Sequence, residues 1–363
     1  MSRFRFSLAT AEDDAALRRR MAADWLEGSL AVSFRREPSY FAAGDVQGDR
    51  VEVVKCTDLA TGEIIGMGSR AVRTVFLNGI PHSAGYLADL RSHPGYRNGT
   101  LLARGYRFLR QLHDAAPVPL YYTMILEGNH AALSSLTGAR AGLPHYRPLG
   151  RILTPAIHLD LPRPAIALRG VAVERGSAAR APEILRFVQT AYAARQFAPL
   201  YRTLDLRGLD ASDFYLAVRD GRIAGTLAAW DQRAFRQTHI ERYSGGWRLA
   251  RPLYNLAARL TPLKALPRPG SIVPYFYLAF AAAEDADPRI FRLLLRALYR
   301  DRRAGPWHYC IAGLDERDPL AAVLAEYRSI PAAGRLFAVH YDEDEAAFRR
   351  LDGRTPFVEI ATL

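Results

Sequence analysis

The sequence predicts an α/β (α+β) protein made of two tandem copies of one fold, each a mixed, mostly antiparallel central sheet flanked by helices. Three observations carry this. The 363 residues suit two domains of roughly 150–200 residues, each large enough to bury a core. Strand-like and helix-like stretches alternate in both halves. The order of those elements in the first half recurs in the second.

The first half reads as strand 4–8, helix 11–25 and strand 50–56. Thr61-Gly62 turns into a long strand, 63–76, and Asn78-Gly79 is the two-residue signal for a tight hairpin into strand 83–92. After Pro94 a Gly/Asn/Arg turn opens helix 100–113. Strand 120–126, helix 129–136, a turn at Gly142 and Pro144, and short strands around Arg151 and His158 complete one α/β layer domain. Leu161-Pro162-Arg163-Pro164 then breaks the pattern, since proline stiffens a connection and cannot extend a central strand. The expected division is 1–163 and 164–363, with the boundary between 160 and 168. The second half restarts with strand 168–174 and helix 181–194. Strands 214–219 and 222–230 follow, joined by Asp220-Gly221, then an insertion at about 235–270, strand 275–282, helix 288–300, strand 307–314, helix 319–325, and strands near 336–341 and 357–361. Short residue matches support duplication: Thr61-Gly62-Glu63-Ile64-Ile65-Gly66 is echoed by Asp220-Gly221-Arg222-Ile223-Ala224-Gly225.

Composition narrows the function classes. Hydrophobic residues at 49% and charged residues at 24% exclude wholesale disorder. The net charge of +12 is nearly all arginine, since Lys55 and Lys264 are the only lysines. It reads either as a solvated basic surface or as a preference for anionic ligands. The two cysteines, Cys56 and Cys310, lie far apart in apolar runs, so they form neither a disulfide framework nor a zinc spacing. The histidines lack metal-ligand spacing, and no metal is expected. With no disulfide framework a reducing cytoplasm fits best, and the first residues resemble a polar-alternating strand and an acidic helix rather than a signal peptide. No apolar run approaches the ~20 residues that span a bilayer, and no membrane partner is expected. Basic residues stand among aromatics in the insertion, but no recognition motif for nucleic acid accompanies them.

The most informative stretch runs from Tyr86 through Asp89-Leu90-Arg91-Ser92-His93-Pro94 to Tyr96-Arg97-Asn98-Gly99-Thr100-Leu101-Leu102. A strand ends at a proline, a short turn follows, and a helix begins at once. Backbone N–H groups then converge where the helix dipole is positive, which suits a pyrophosphate. Gly99 allows close approach and Arg97 adds charge.

This run resembles the strand-to-helix segment of the GNAT (GCN5-related N-acetyltransferase) superfamily, and Glu127-Gly128-Asn129 is similar to the step at which an Asn opens the next helix in that family. The resemblance covers about 3–160 by motif and about 168–361 by element order. It implies two tandem acetyltransferase-like domains and an acyl-CoA donor, acetyl-CoA first. The pyrophosphate would lie on Arg97, Asn98, Gly99, Thr100, Leu101 and Leu102, the pantetheine along the backbone of Arg91, Ser92 and His93, and the arm beside Asn129. The sequence departs from the family at two points. Only Asn98 separates Arg97 from Gly99, with Leu101 where a second small residue is usual, and the position of the helix tyrosine that often protonates the leaving thiolate is Leu136.

An amine acceptor must lose a proton on attacking a thioester. Asp89 is the carboxylate nearest the loop, and Glu127 ends the neighbouring strand; either could instead cap or face solvent. Tyr146 and Tyr96 are candidate acids, among 18 tyrosines that mostly pack. In the second copy Glu284, Asp285 and Asp287 stand where phosphate would sit and would repel it, so that copy reads as degenerate. Its insertion, with Tyr243, Trp247, Arg248, Arg251 and Tyr254, either covers an acceptor cleft or packs on its own domain. The leading expectation is an acyl-CoA-dependent N-acyltransferase acting on a small-molecule or peptide amine. The alternatives are an aminoacyl-tRNA-dependent transferase, which would bind tRNA and no CoA, and a non-catalytic acyl-CoA sensor or partner platform.

Overall fold

The computed structural model describes residues 3–28, 30–96, 100–138 and 142–363. The first half runs β1 (Phe4–Leu8), α1 (Asp14–Ala22), β2 (Trp25–Leu26), β3 (Leu30–Arg35), β4 (Arg50–Asp58), β5 (Ile64–Leu77), β6 (Ile80–Ser92), α2 (Leu101–Ala115), β7 (Tyr121–Leu126), α3 (His130–Thr137), β8 (His145–Leu153) and β9 (Ala156–His158). The second half runs β10 (Ala172–Arg175), α4 (Ala181–Ala193), β11 (Phe214–Arg219), β12 (Arg222–Trp230), β13 (Gln237–Tyr243), α5 (Gly246–Ala257), β14 (Tyr275–Ala283) and α6 (Pro288–Arg303). It ends with β15 (Tyr309–Ile311), β16 (Leu314–Asp315), α7 (Ala321–Leu324), β17 (Ser329–Ile330), β18 (Ala333–His340) and α8 (Glu345–Arg349).

Both hairpins form where turn chemistry places them. Asn78 and Gly79 have φ of 54° and 81°, and Asp220 and Gly221 have 49° and 77°. Positive φ at both central residues matches the right-handed twist of the flanking strands. Three expectations need correction. The helix expected over 11–25 is a single 3-10 turn and then α1, ending at Ala22, because the chain leaves to pair Trp25 and Leu26 with β3. The strand expected over 307–314 is divided between β15 and β16, which belong to different sheets. The segment 357–361 is no strand: its backbone bonds go to Gln196, Gln232 and Arg236 rather than to a ladder.

The strands form an eight-stranded sheet in the order β1-β4-β5-β6-β7-β18-β8-β16 and a seven-stranded sheet in the order β10-β11-β12-β14-β15-β9-β17. The two orders match step by step: three antiparallel pairings, a parallel one (β6 with β7, β14 with β15), then an antiparallel one. The halves also trade strands. β18, late in the chain, lies between β7 and β8, while β9, from the first half, lies between β15 and β17. Sheet membership therefore crosses the division at 163 in both directions. A small third sheet, β13-β3-β2, joins the insertion to the first half. Residues 197–200 bond the end of β5, with Phe197 N–H to Phe76 O and Phe76 N–H to Ala198 O both at 2.8 Å.

α2 and α3 cover one face of the first sheet, burying Tyr106 and Leu136 against Tyr121 and Ile125. On the other face Tyr86 and Tyr122 stack at 5.1 Å and pack with Phe197, Leu336 and Val358 from the second half. The second sheet carries the largest core, with Trp230, Phe280 and Leu294 fully buried.

Two stability outcomes follow from this packing. A methyl group at Gly85 would overlap the Tyr121 ring, in the parallel pairing where β6 meets β7. Gly85→Ala should cost about 1–3 kcal/mol in urea denaturation; an unaffected midpoint would mean that the ring moves aside freely. Burial pushes the Glu359 carboxyl up from 4.5 to about 7, although the Phe280 N–H and the Tyr192 hydroxyl donate to it. An acid raised in the folded state stabilises fully below its unfolded value and loses that contribution as pH rises through its folded value. The window here is therefore from about 4.5 to about 7. Glu359→Gln keeps an acceptor for both donors, so its Tm should exceed that of the wild type by about 2–5 °C near pH 8 and lose that advantage near pH 5. Parallel pH profiles of the two proteins would show that Glu359 does not titrate in this way.

Candidate active site

β6 and β7 pair only at Gly85 with Tyr121 and Tyr86 with Tyr122. Beyond that point β6 continues to Ser92 and β7 to Leu126, and among the described residues no ladder joins them. Thr123 Oγ1 donates to Leu87 O at 2.7 Å where the strands part. On its other side β6 pairs with β5 through a bulge: Ser69 faces Ala88 and Met67 faces Arg91, and Asp89 takes a φ of 55°. A bulge re-aims the residue it holds, and here that residue is an acid.

The Asp89 carboxylate is met by Arg36 at 2.5 Å and by the Tyr40 hydroxyl at 2.8 Å. Arg36 also lies over the Tyr40 ring, 4.6 Å from its centroid. Burial pushes the Asp89 carboxyl up, but the charges of Arg36 and Arg91, the Tyr40 hydroxyl and the charge of Arg236 outweigh it and hold the group below its usual range. Asp89 is therefore ionised near neutrality. Burial, with Asp89 next, raises both Tyr40 and Tyr86 and keeps those phenols protonated. Arg236 reaches in from the second half, donating to Ala361 O at 2.8 Å and to Leu363 O.

The turn before α2 is braced. The Tyr96 hydroxyl donates to Asp58 at 3.1 Å, Arg3 pairs with the same carboxylate at 2.6 Å, and the His93 ring takes the Gly95 N–H at 3.2 Å. Arg97, Asn98 and Gly99 lie outside the described residues. Thr100 is the N-cap of α2 and makes no side-chain cap bond. The N–H groups of the first turn, from Leu101 and Leu102 onward, have no acceptor within the helix. Arg91 and Ser92 lie in the β5–β6 ladder, and His93 N–H bonds Ile65 O at 2.7 Å.

The structure brings Asp89 and Arg91 to His93 together along one strand end, with Leu101 and Leu102 on the helix that follows. The other candidates have partners elsewhere. Glu127 is gripped by both ends of Arg151, at 2.8 and 3.0 Å, which holds its carboxyl below the usual range. Tyr146 is half-buried against the α2 layer with its hydroxyl on that of Tyr106, and burial lifts it well above the usual tyrosine value. Asn129 caps α3, accepting Ala132 N–H at 3.1 Å. Leu136 is buried in the same layer. Sequence reasoning missed Arg36, Tyr40 and Arg236. The alternation Leu30-Ala31-Val32-Ser33-Phe34-Arg35 was a strand signal for the first two; nothing local marked Arg236.

The second sheet repeats the geometry with its openings filled. β14 bulges at Phe280, whose φ is 54°, and the ladder to β12 shifts there. Glu359 accepts the Phe280 N–H at 2.8 Å, and Phe357 and Ala361 are buried in the core beside it. At the start of α6 the Asp287 side chain caps Arg289 N–H at 2.8 Å and also pairs with the Arg289 guanidinium. The insertion is tied within itself, Tyr243 and Arg251 to Pro267 O at 2.9 and 3.1 Å, and its first strand pairs with β3 of the first half.

No protein-family model matches the sequence, and no curated protein matches it either. Solved structures match its shape. A GCN5-related N-acetyltransferase from Sphaerobacter thermophilus aligns over 100% of this chain and 99% of its own, with a TM-score of 0.57 at 15% identity. Saccharomyces cerevisiae N-myristoyltransferase with bound myristoyl-CoA aligns over 94% of this chain and 80% of its own, with a TM-score of 0.61 at 9% identity. A GCN5-related N-acetyltransferase from Anabaena variabilis aligns over 93% and 72%, with a TM-score of 0.52 at 11% identity. Identities this low speak for architecture, and by that measure the chain has the fold of the GCN5-related N-acetyltransferases and N-myristoyltransferases along its length.

Proposed function

We propose that the protein is an acyl-CoA-dependent N-acyltransferase that uses acetyl-CoA and seats it on the first sheet alone. The observation that carries this reading is the difference between two equivalent clefts. In the second sheet a carboxylate takes the bulge N–H and another caps the helix that follows. In the first sheet, among the described residues, no side chain accepts the N–H of Asp89, and the cap of α2 makes no side-chain bond. The first cleft thus presents N–H groups and a helix N-terminus where an acyl carbonyl and a pyrophosphate need them.

In this reading the acceptor nitrogen attacks the thioester carbonyl carbon, the C–S bond breaks, and the thiolate leaves. A CoA thiol of pKa near ~8.5 needs only modest help to depart. Asp89, ionised and fixed by Arg36 and Tyr40, receives the acceptor's proton through water. Glu127 and Tyr146 serve the scaffold, through Arg151 and Tyr106 respectively.

Calorimetric titration of acetyl-CoA should give one site per chain. Arg97→Ala should weaken binding by about 1–2 kcal/mol, one charge-assisted contact. Gly99→Val should weaken it more by blocking the phosphate's approach, and Asp287→Ala should leave it unchanged. Unaltered affinity in a folded Gly99→Val variant would place the donor elsewhere.

For catalysis, Asp89→Asn should lower kcat/KM for acetyl transfer to an accepted amine by about a hundredfold, with acetyl-CoA affinity nearly unchanged. A drop confined to donor affinity would assign Asp89 to donor binding instead.

A further inference from the structure

α5 is a helix whose outward face no described residue covers. None of its residues is buried. Leu249, Leu253 and Leu256, with Leu260 in the turn after it, recur at spacings of four and three, so they share one side of the helix. They are 76, 72, 57 and 88% exposed. The opposite side is fixed: Asn255 exchanges hydrogen bonds with Leu266, at 3.1 and 2.7 Å, and Arg251 Nε bonds Pro267 O at 3.1 Å. The leucine row is therefore aimed outward by the fold.

Charge says what covers it. From Arg242 to Ala283 the sequence holds no acid, but it holds Arg242, Arg248, Arg251, Arg259, Lys264 and Arg268. The side chains of Arg248 and Arg259, which border the leucine row, and of Arg268 form no ion pair among the described residues. Beneath the helix a cavity of 650 Å³ is lined by Arg251, Arg259, Arg268 and His308, again with no acid. A second copy of this face would bring like charges together, which opposes self-association. The occupant must be apolar at its centre and anionic around it.

We propose that α5 is a membrane-surface anchor, lying in the plane of an anionic bilayer with its leucine row in the acyl boundary and its arginines on the headgroup phosphates. No helix among the described residues is long and apolar enough to cross a membrane, and a helix that lies on the surface has no need to be. The anchor stands independently of the proposed transfer reaction. β13 leads into α5 and pairs with β3, and Arg36, the partner of Asp89, follows β3 directly. The same ribbon therefore connects the anchor to the candidate active site.

Co-sedimentation of the full chain with vesicles tests this. Binding is expected to vesicles of phosphatidylcholine with roughly one-third phosphatidylglycerol, to weaken with added salt, and to be much lower on phosphatidylcholine alone. The double variant Leu249→Asn with Leu253→Asn should lower partitioning by about tenfold or more. Arg248→Gln with Arg259→Gln should lower it by roughly tenfold to thirtyfold. All four positions are exposed, so thermal unfolding should match the wild type and separate lost binding from lost folding. The proposal fails if the wild type stays in the supernatant with anionic vesicles, or if the leucine variant binds them as well as the wild type. Concentration-dependent dimers in sedimentation velocity that vanish with the leucine substitutions would also overturn it, by showing that a second copy covers the face.

Discussion

Each sheet of this protein is finished by a strand from the other half. β7 and β15 are the strands where parallel pairing ends, and without β18 and β9 each would present an open edge, the usual route to misassembly. β18 pays for its position with burial as well as hydrogen bonds: Leu336, Ala338 and Val339 are fully buried between the first sheet's two layers. β9 does the same in the second sheet through Ile157. Neither half has a complete sheet by itself, so the fold of each is conditional on the other.

That exchange decides which cleft is filled. Once β18 has entered the first sheet, the chain returns through α8 and lays residues 356–362 along the second half. Asn78 and Asp352 share Gln196, at 2.9 and 2.7 Å, and Phe357 N–H bonds Gln196 O at 2.8 Å, which fixes that return path. Ile360 then packs against Gly313 where a side chain would have no room. The opening of the second sheet is thus filled by packing as well as by the Glu359 carboxylate.

The ion pair of Arg36 and Asp89 is the opposite kind of feature. Both groups are almost fully removed from water. Burying two charges costs free energy that their attraction repays only with good geometry, so such a pair is weak evidence for stability. It sits on a bulge where two strands part, with its carboxyl held below the usual range by Arg36 and its other neighbours.

The sequence by itself determined the local structure. Turn residues at Asn78-Gly79 and Asp220-Gly221, the apolar runs on either side of Asp220-Gly221 and the cap of α6 all state their conformation within a few residues, because backbone sterics and short-range hydrogen bonds decide them. The repeated order of elements and the strand-to-helix segment after Asp89 were legible for the same reason. The partner of each strand, the source of the carboxylate at the second bulge and the fate of 357–361 were not. Asp89 meets an arginine 53 positions earlier, β18 pairs with a strand that ends at Leu126, and Phe280 gives its N–H to Glu359. Contacts at such separations depend on how whole layers stack and on which buried polar groups need partners, and only the tertiary structure settles that.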